Sequence, residues 1–332
     1  MSVALSAAPE RKLAAPLIAF ALLVLGGLFL FNAVSARQAI LFIVGGALGL
    51  TLYHAAFGFT SAWRVFIRER RGAGLRAQMV MLALAVLLFF PALAAGSLFG
   101  QPVSGFVSPV GTSVIVGAFI FGIGMQLGGG CASGTLFTVG GGNARMLVTL
   151  LFFILGSLIA TQHVGWWFAL PSLPPISLVA GRPWGITSAF ALWGAKIAQG
   201  VGLDVGAWAF WQTPANAKAL AAPLWEDITS VMDIGIVLGA LLAAGLAGRF
   251  APNLDIPRRS LAAAVIGGLL LGYGARLAYG CNIGAYFSGI ASGSLHGWLW
   301  LVAAFAGNSV GVRVLRPYFF PEERREQGLT GC

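Results

Sequence analysis

GIGMQLGGGCASG, residues 122–134, and GYGARLAYGCNIG, residues 272–284, are one frame written twice. Gly122, Gly124, Leu127, Gly130, Cys131 and Gly134 recur 150 residues later as Gly272, Gly274, Leu277, Gly280, Cys281 and Gly284. A chain of 332 residues with only 3 cysteines thus sets two of them at matching points of an internal repeat, the other being Cys332. No CxxC occurs, which argues against a zinc knuckle and against a dithiol redox motif.

The sequence around the frame is apolar. The chain is 58% hydrophobic and 9% charged, with a mean hydropathy of +0.88, a balance that no water-soluble domain of this size carries without large exposed apolar patches. Ala77 to Ala144, Met146 to Gly181 and Leu277 to Val312 hold no formal charge. A hydrocarbon core about 30 Å thick takes roughly 20 apolar residues per helix, so these stretches predict an all-α polytopic membrane protein in the lipid bilayer. Full spans are expected near 13–34, 38–56, 77–97, 109–128, 146–163, 228–248, 260–279 and 297–314, about eight or nine in all. The first segment, Leu13 to Ala36, is too long for a cleavable signal peptide and lacks a clear cleavage site. Four pieces at 58–67, 131–139, 185–200 and 282–290 are too short or too broken to cross. At matching places in two halves, such pieces read as half-helices.

The net charge of +10 does not form a nucleic-acid face. Basic residues cluster between apolar segments, as in Arg64 to Arg76, and in the tail after Val312, the pattern of positive-inside topology. The same charges orient the halves. GFTSAW at 58–63 matches GITSAF at 185–190, here 127 residues apart, so the second half carries about 23 additional residues in the Trp-rich stretch Leu203 to Trp225. Those tryptophans predict a position along a membrane face. In the first half the arginines (Arg64, Arg68, Arg70, Arg71, Arg76) precede the span at 77–97 and Leu98 to Ser108 has none. In the second half Val201 to Ile228 has only Lys218, and Arg249, Arg258 and Arg259 follow the span at 228–248. Equivalent loops then face opposite sides. The expected organisation is one membrane domain over 1–332, with a first repeat at 40–163, a second, inverted repeat at 165–315, and a cytoplasmic tail at 316–332.

Inverted repeats bring matching points to similar depth, so Cys131 and Cys281 are expected to face one central pathway. Gly130 and Gly280 let the chain turn there, and Ser133 and Asn282 open the short helices that follow. Helix N-termini attract anions. Arg276 is a further pathway candidate, and the first half has Gln126 at its place. Lys196, after GITSAF, is another. His54, His163 and His296 fall near predicted span ends and read as interfacial; Asp204 and Asp233 read as membrane-edge residues, and no carboxylate at depth suggests proton coupling.

GGGCASGTLFTVGGGNAR (128–145), GRPWGITSAF (181–190) and GARLAYGCNIGAYFSGIASGSLHGW (274–298) resemble the YeeE/YedE family of sulfur-compound transporters, over roughly Ile40 to Trp298. The resemblance implies an hourglass of inverted repeats around half-helices, with thiosulfate passing the conserved cysteines by transient S–H···S contacts. Family members commonly carry another cysteine in a motif like RFCFTAAFR. AFGFTSAWR at 56–64 places Gly58 there.

The expected function is transport of a small sulfur-containing anion, thiosulfate first, by a multi-pass protein of the bacterial inner membrane. A cytoplasmic sulfurtransferase-like protein is a candidate partner. No nucleotide-binding motif is present, and neither enzymatic activity nor a cofactor or metal is expected. The rivals are a membrane thiol-disulfide oxidoreductase, which would need a quinone site, and a soft-metal channel using the cysteines with Met125.

Overall fold

The computed structural model describes residues 14–55, 58–98, 100–175 and 186–321. Its elements are helical almost throughout: α1 (Ala14–Ala33), α2 (Ala36–Ala55), α3 (Phe59–Glu69), α4 (Ala73–Ala95), α5 (Thr112–Gly128), α6 (Ala132–Gly140) and α7 (Ala144–Phe168) come first. They are followed by α8 (Thr187–Gly200), α9 (Pro214–Ala221), α10 (Ile228–Leu246), α11 (Arg258–Leu277), a π-helix (Asn282–Phe287) running into α12 (Ser288–Ala291), then α13 (Leu295–Val310) and α14 (Arg316–Phe319). Among the described residues, eight helical segments, led by α1, α2, α4, α5, α7, α10, α11 and α13, are long and apolar enough to cross a membrane. This is an all-α polytopic membrane protein. The four short pieces read from the sequence are α3, α6, α8 and the helix from Asn282 to Ala291.

The chain packs as two compact units, one of Met1–Phe57, Leu136–Asn143 and Val231–Asn253, the other of Gly58–Thr135, Ala144–Ser230 and Leu254–Cys332. Each draws on both halves of the sequence repeat. In the first unit, glycines 45, 46 and 49 on α2 meet the backbone of α10 at Met232, Gly235, Ile236 and Gly239. Close approach of this kind, rather than a hydrophobic effect that lipid cancels, holds membrane helices together. Leu23, Leu30, Phe42 and Val231 fill the space beside it.

The second unit is organised by α5 and α11, the helices that carry the repeated frame. A Cβ placed on Gly274 would lie 2.5 Å from the Gly117 carbonyl oxygen and 2.7 Å from Phe121 N. One on Gly124 would lie 2.8 Å from Leu271 N and 3.0 Å from the Gly267 carbonyl oxygen. These contacts are reciprocal: Gly117, Phe121 and Gly124 are the residues 150 positions before Gly267, Leu271 and Gly274. They also run in opposite senses, with Gly117 against Leu277 and Gly128 against Gly267, so the two equivalent helices cross antiparallel. Around them the arrangement repeats, Gly122 of α5 lying against Ala304 and Asn308 of α13, and Gly272 of α11 against Phe153 and Ser157 of α7.

Two expectations change. The Trp-rich insertion does not lie along a membrane face by all its tryptophans: Trp211 is 3% exposed, packs with Leu158, Leu192 and Val205, and donates Nε1–H to Thr161 Oγ1 at 3.3 Å. Only Trp225, 47% exposed, behaves as an outward tryptophan of that stretch. The segment read as a tail from 316 opens as α14, with Arg316 buried and donating to the Gln126 carbonyl at 2.7 Å. Residues 322–332, including Cys332, lie outside the described residues.

Candidate functional site

Each cysteine follows a turn of the same kind, but because α5 and α11 cross antiparallel the two turns lie at opposite ends of the crossing rather than at the similar depth expected from the sequence. After α5 the chain reverses through Gly129 (φ 95°) and Gly130, and α6 starts directly after Cys131. After α11 it reverses through Tyr279 (φ 60°) and Gly280 (φ 153°), and the π-helix starts directly after Cys281. A Cβ on Gly130 would press on Gly134 and Thr135; one on Gly280 would press on Gly284 and Ala285, the same offset in each half. Only glycine lets the turn fold back over the following helix. Neither cysteine is in a disulfide, and both are buried, Cys131 2% and Cys281 0% exposed.

The surroundings of the two thiols differ. Cys131 Sγ lies 3.4 Å from Ser133 Oγ and is approached by the backbone N–H groups of Ser133 and Gly134, as expected for a thiol over a helix start. Thr135 N and Oγ1 both donate to the Cys131 carbonyl at 2.8 Å. Beyond Cys281 the polar residues move: Ile283 and Ala285 stand where the first half has Ser133 and Thr135, and Asn282 and Tyr286 stand where it has Ala132 and Leu136. Asn282 is 0% exposed, and neither its Nδ2 nor its Oδ1 has a hydrogen-bond partner among the described residues. An unsatisfied buried polar group costs about 1–3 kcal/mol. Tyr286 is in the same state at its hydroxyl. Tyr286 was absent from the sequence reading, because a tyrosine inside an apolar run carries no signal of its own.

Gln126 and Arg276, equivalent in the repeat, also turn out to be equivalent in contact. Gln126 Nε2 donates to the Thr60 carbonyl at 3.2 Å and to Asn308 Oδ1 at 2.6 Å. Arg276 Nη2 donates to Thr187 Oγ1 at 3.4 Å. Thr60 and Thr187 are themselves the matching threonines of GFTSAW and GITSAF. The amide nitrogen of Gln126 is thus held by α3 and α13, whereas Arg276 stands at a cavity wall. Arg276 lines a cavity of about 770 Å³ together with Thr187, Ser188, Thr213, Asn216 and Tyr279, with its guanidinium carbon 5.9 Å from the centre of the Phe210 ring. Asp227 also lines this wall, its Oδ2 accepting from Ser230 N at 2.7 Å and Ser230 Oγ at 2.6 Å at the start of α10. The cavity therefore presents one cation, one carboxylate and several hydroxyl and amide groups, and Tyr279 on its wall directly precedes Gly280.

Other predicted residues are placed elsewhere. Lys196 does not line the cavity; its Nζ donates to the Leu220 carbonyl at 2.9 Å, near the end of α9. Gly58 precedes α3, where a Cβ would meet only Ser61, whose Oγ would be 2.8 Å away. Arg145 caps α5, its guanidinium donating to the carbonyls of Leu127, Gly128 and Ser260. Cations are favoured at that end of a helix. His296, at the start of α13, is fully buried, with Nδ1 2.7 Å from Ser294 Oγ, and Asp233 is 0% exposed within α10. His54 and His163 are exposed. Residues 181–185 of GRPWGITSAF lie outside the described residues.

The fold and the glycine–cysteine turn repeated in its two halves define an all-α polytopic membrane protein built on an internal repeat. The chain matches the family described as sulphur transport over residues 54–179 and 170–310, and it belongs to that family. It is 30% identical over 323 residues to the thiosulfate transporter TsuA of Spirochaeta thermophila, covering 80% of this chain and 95% of that one. It is 33% identical over 142 residues to the probable transporter YedE of Escherichia coli and 34% to that of Salmonella typhimurium, in each case 42% of this chain and 34% of the relative.

Proposed function

We propose that the protein carries a small sulfur-containing anion, thiosulfate first, across the bacterial inner membrane into the cytoplasm. The observation that carries the reading is the pair of buried cysteines set after equivalent turns of the repeat, in a chain of the sulphur transport family. The antiparallel, reciprocal crossing of α5 and α11 supports an inverted repeat, in which the two turns are related by a pseudo-twofold axis. The anion gathers in the Arg276 cavity, where the guanidinium offsets its charge, and then passes the cysteines. S–H is a weak donor and sulfur a weak acceptor. Weak successive sites release an ion as readily as they take it. The resemblance to thiosulfate transporters favours thiosulfate, whose terminal sulfur is matched to a thiol.

Growth on thiosulfate as sole sulfur source tests the reading. A bacterial host without its own thiosulfate uptake is expected to grow when it expresses this chain. Absence of growth with the protein present in the membrane overturns the proposal. A second expectation concerns charge. Arg276→Gln, which installs the residue that the first half already has, is expected to raise the KM for thiosulfate about threefold to tenfold, with the largest loss at low ionic strength, where an exposed-facing cation attracts anions best. An unchanged KM across salt concentrations would remove Arg276 from the pathway.

A further inference from the structure

The two halves share a turn but not its polar complement, and the difference has a direction. In the first half Ser133 and Thr135 are satisfied within the Cys131 turn. In the second half the polar groups at Asn282 and Tyr286 are fully buried, and the Asn282 amide and the Tyr286 hydroxyl find no partner among the described residues. Natural proteins rarely leave such groups unsatisfied, and where they do a functional partner is the first explanation.

The aromatic contacts locate these groups. Trp300 donates Nε1–H to the Gly280 carbonyl at 3.2 Å, which ties its ring to the residue before Cys281. Tyr286 stacks on Trp300, ring centres 6.1 Å apart and planes 5° apart. On its other sides Tyr286 stands edge-on to Phe59 (5.8 Å) and Trp63 (6.1 Å) of α3. A rigid aromatic frame therefore holds the phenol between the Cys281 turn and the start of α3, and packing fixes the ring without using its hydroxyl. Asn282, one helical turn earlier, adjoins Cys281 directly. The local helix is π rather than α, with both Ala285 N and Tyr286 N donating to the Cys281 carbonyl, and single π turns of this kind gather at functional sites.

Resting on the transport function proposed above, we infer that Asn282 and Tyr286 form an oxygen-recognition site beside the Cys281 thiol, which selects oxyanions of sulfur. The amide N–H and the phenol O–H donate to oxygen acceptors on the anion while the thiol takes its sulfur. The chemical class is an anion with both a sulfur atom and acceptor oxygens, as in thiosulfate or sulfite. Hydrosulfide, which has no oxygen, gains nothing from these donors. Tyr286 is on this account a specificity-determining residue, and the site lies in the second half alone, since Ala132 and Leu136 offer no donors at the matching positions.

The test uses purified full-length protein in proteoliposomes and measures initial uptake of radiolabelled thiosulfate, together with its inhibition by sulfite and by hydrosulfide. Tyr286→Phe keeps the ring and its stacking and removes only the hydroxyl. It is expected to raise the KM for thiosulfate and the inhibition constant of sulfite about tenfold, while hydrosulfide inhibits as it does the wild type. Asn282→Leu, nearly isosteric, is expected to act in the same direction, and it serves should Tyr286→Phe not be recovered folded. A merely structural role would shift all three ligands together or none. Equal inhibition constants for sulfite in wild type and both variants, or a parallel loss for hydrosulfide, overturns the oxygen-recognition site. Failure of the wild type to take up thiosulfate overturns the transport reading itself and is seen before any variant is compared.

Discussion

Cys281→Ala is expected to abolish thiosulfate uptake, and Cys131→Ala is expected to do the same alone. The two thiols are proposed to act in series on one path, so the slower step governs and the double variant is expected to be no worse than either single one. Thiols acting in parallel would instead leave about half the rate after each single change. Folding is not the cause of the loss. Each thiol is a small buried group, alanine keeps most of its volume, and the turn itself is set by Gly130 and Gly280, which the substitution leaves alone. A change of this size in a packed interior costs about 1 kcal/mol. Serine in place of either cysteine separates hydrogen bonding from sulfur chemistry: a hydroxyl is the stronger donor, so restored uptake in Cys281→Ser would show that any donor suffices. The expected result is that serine does not restore it. The measurement is initial uptake in proteoliposomes at matched protein content, with size-exclusion profiles to verify folding. Full uptake in both alanine variants would remove the thiols from the mechanism.

Much of this arrangement was legible in the sequence because its strongest signals are local. Twenty-residue apolar runs predict α1, α2, α4, α5, α7, α10, α11 and α13 directly, since lipid leaves a backbone few alternatives. The repeated frame predicted equivalent places for Cys131 and Cys281, and its glycines mark the helix crossing as well as the turn. What stayed hidden depends on contacts across the sequence. Nothing local distinguishes Trp211, buried against α7 and α8, from Trp225, which is exposed. Nothing local shows that Asp233, which flanks the Trp-rich insertion, is fully buried within α10. Lys196 and Arg276 are both lone cations next to apolar sequence; a carbonyl at the end of α9 engages the first, and only the folded chain shows that the second lines a cavity. Tyr286 needed the aromatic frame of Trp300, Phe59 and Trp63 to become visible.

The most damaging single change to the fold is expected at the helix crossing. Gly274→Ala adds one methyl group, but its nearest neighbours are the Gly117 carbonyl oxygen at 2.5 Å and Phe121 N at 2.7 Å. Both are backbone atoms in the middle of α5, and neither can rotate away as a side chain would. The helices must separate along their length, and in doing so they loosen the packing that seats both cysteine turns. Overpacking a tight interior costs about 1–3 kcal/mol, occasionally more, and the expected loss here is about 3 kcal/mol. Gly124→Ala is the reciprocal change, opposed by Leu271 N at 2.8 Å and the Gly267 carbonyl oxygen at 3.0 Å, and is expected to be the milder of the two. Gly165→Ala, also in a long apolar helix but with nothing within 4 Å of the added atom, is the control. It is expected to be neutral or to stabilise by up to about 1 kcal/mol through lower unfolded-chain entropy. Thermal unfolding of the detergent-purified proteins orders the three: Gly165→Ala at or above wild type, Gly124→Ala below it, Gly274→Ala lowest. Equal midpoints for Gly274→Ala and Gly165→Ala would mean that α5 and α11 do not meet backbone to backbone. The crossing that relates the two halves would then be lost, and with it the reason for placing one thiol turn at each end of it.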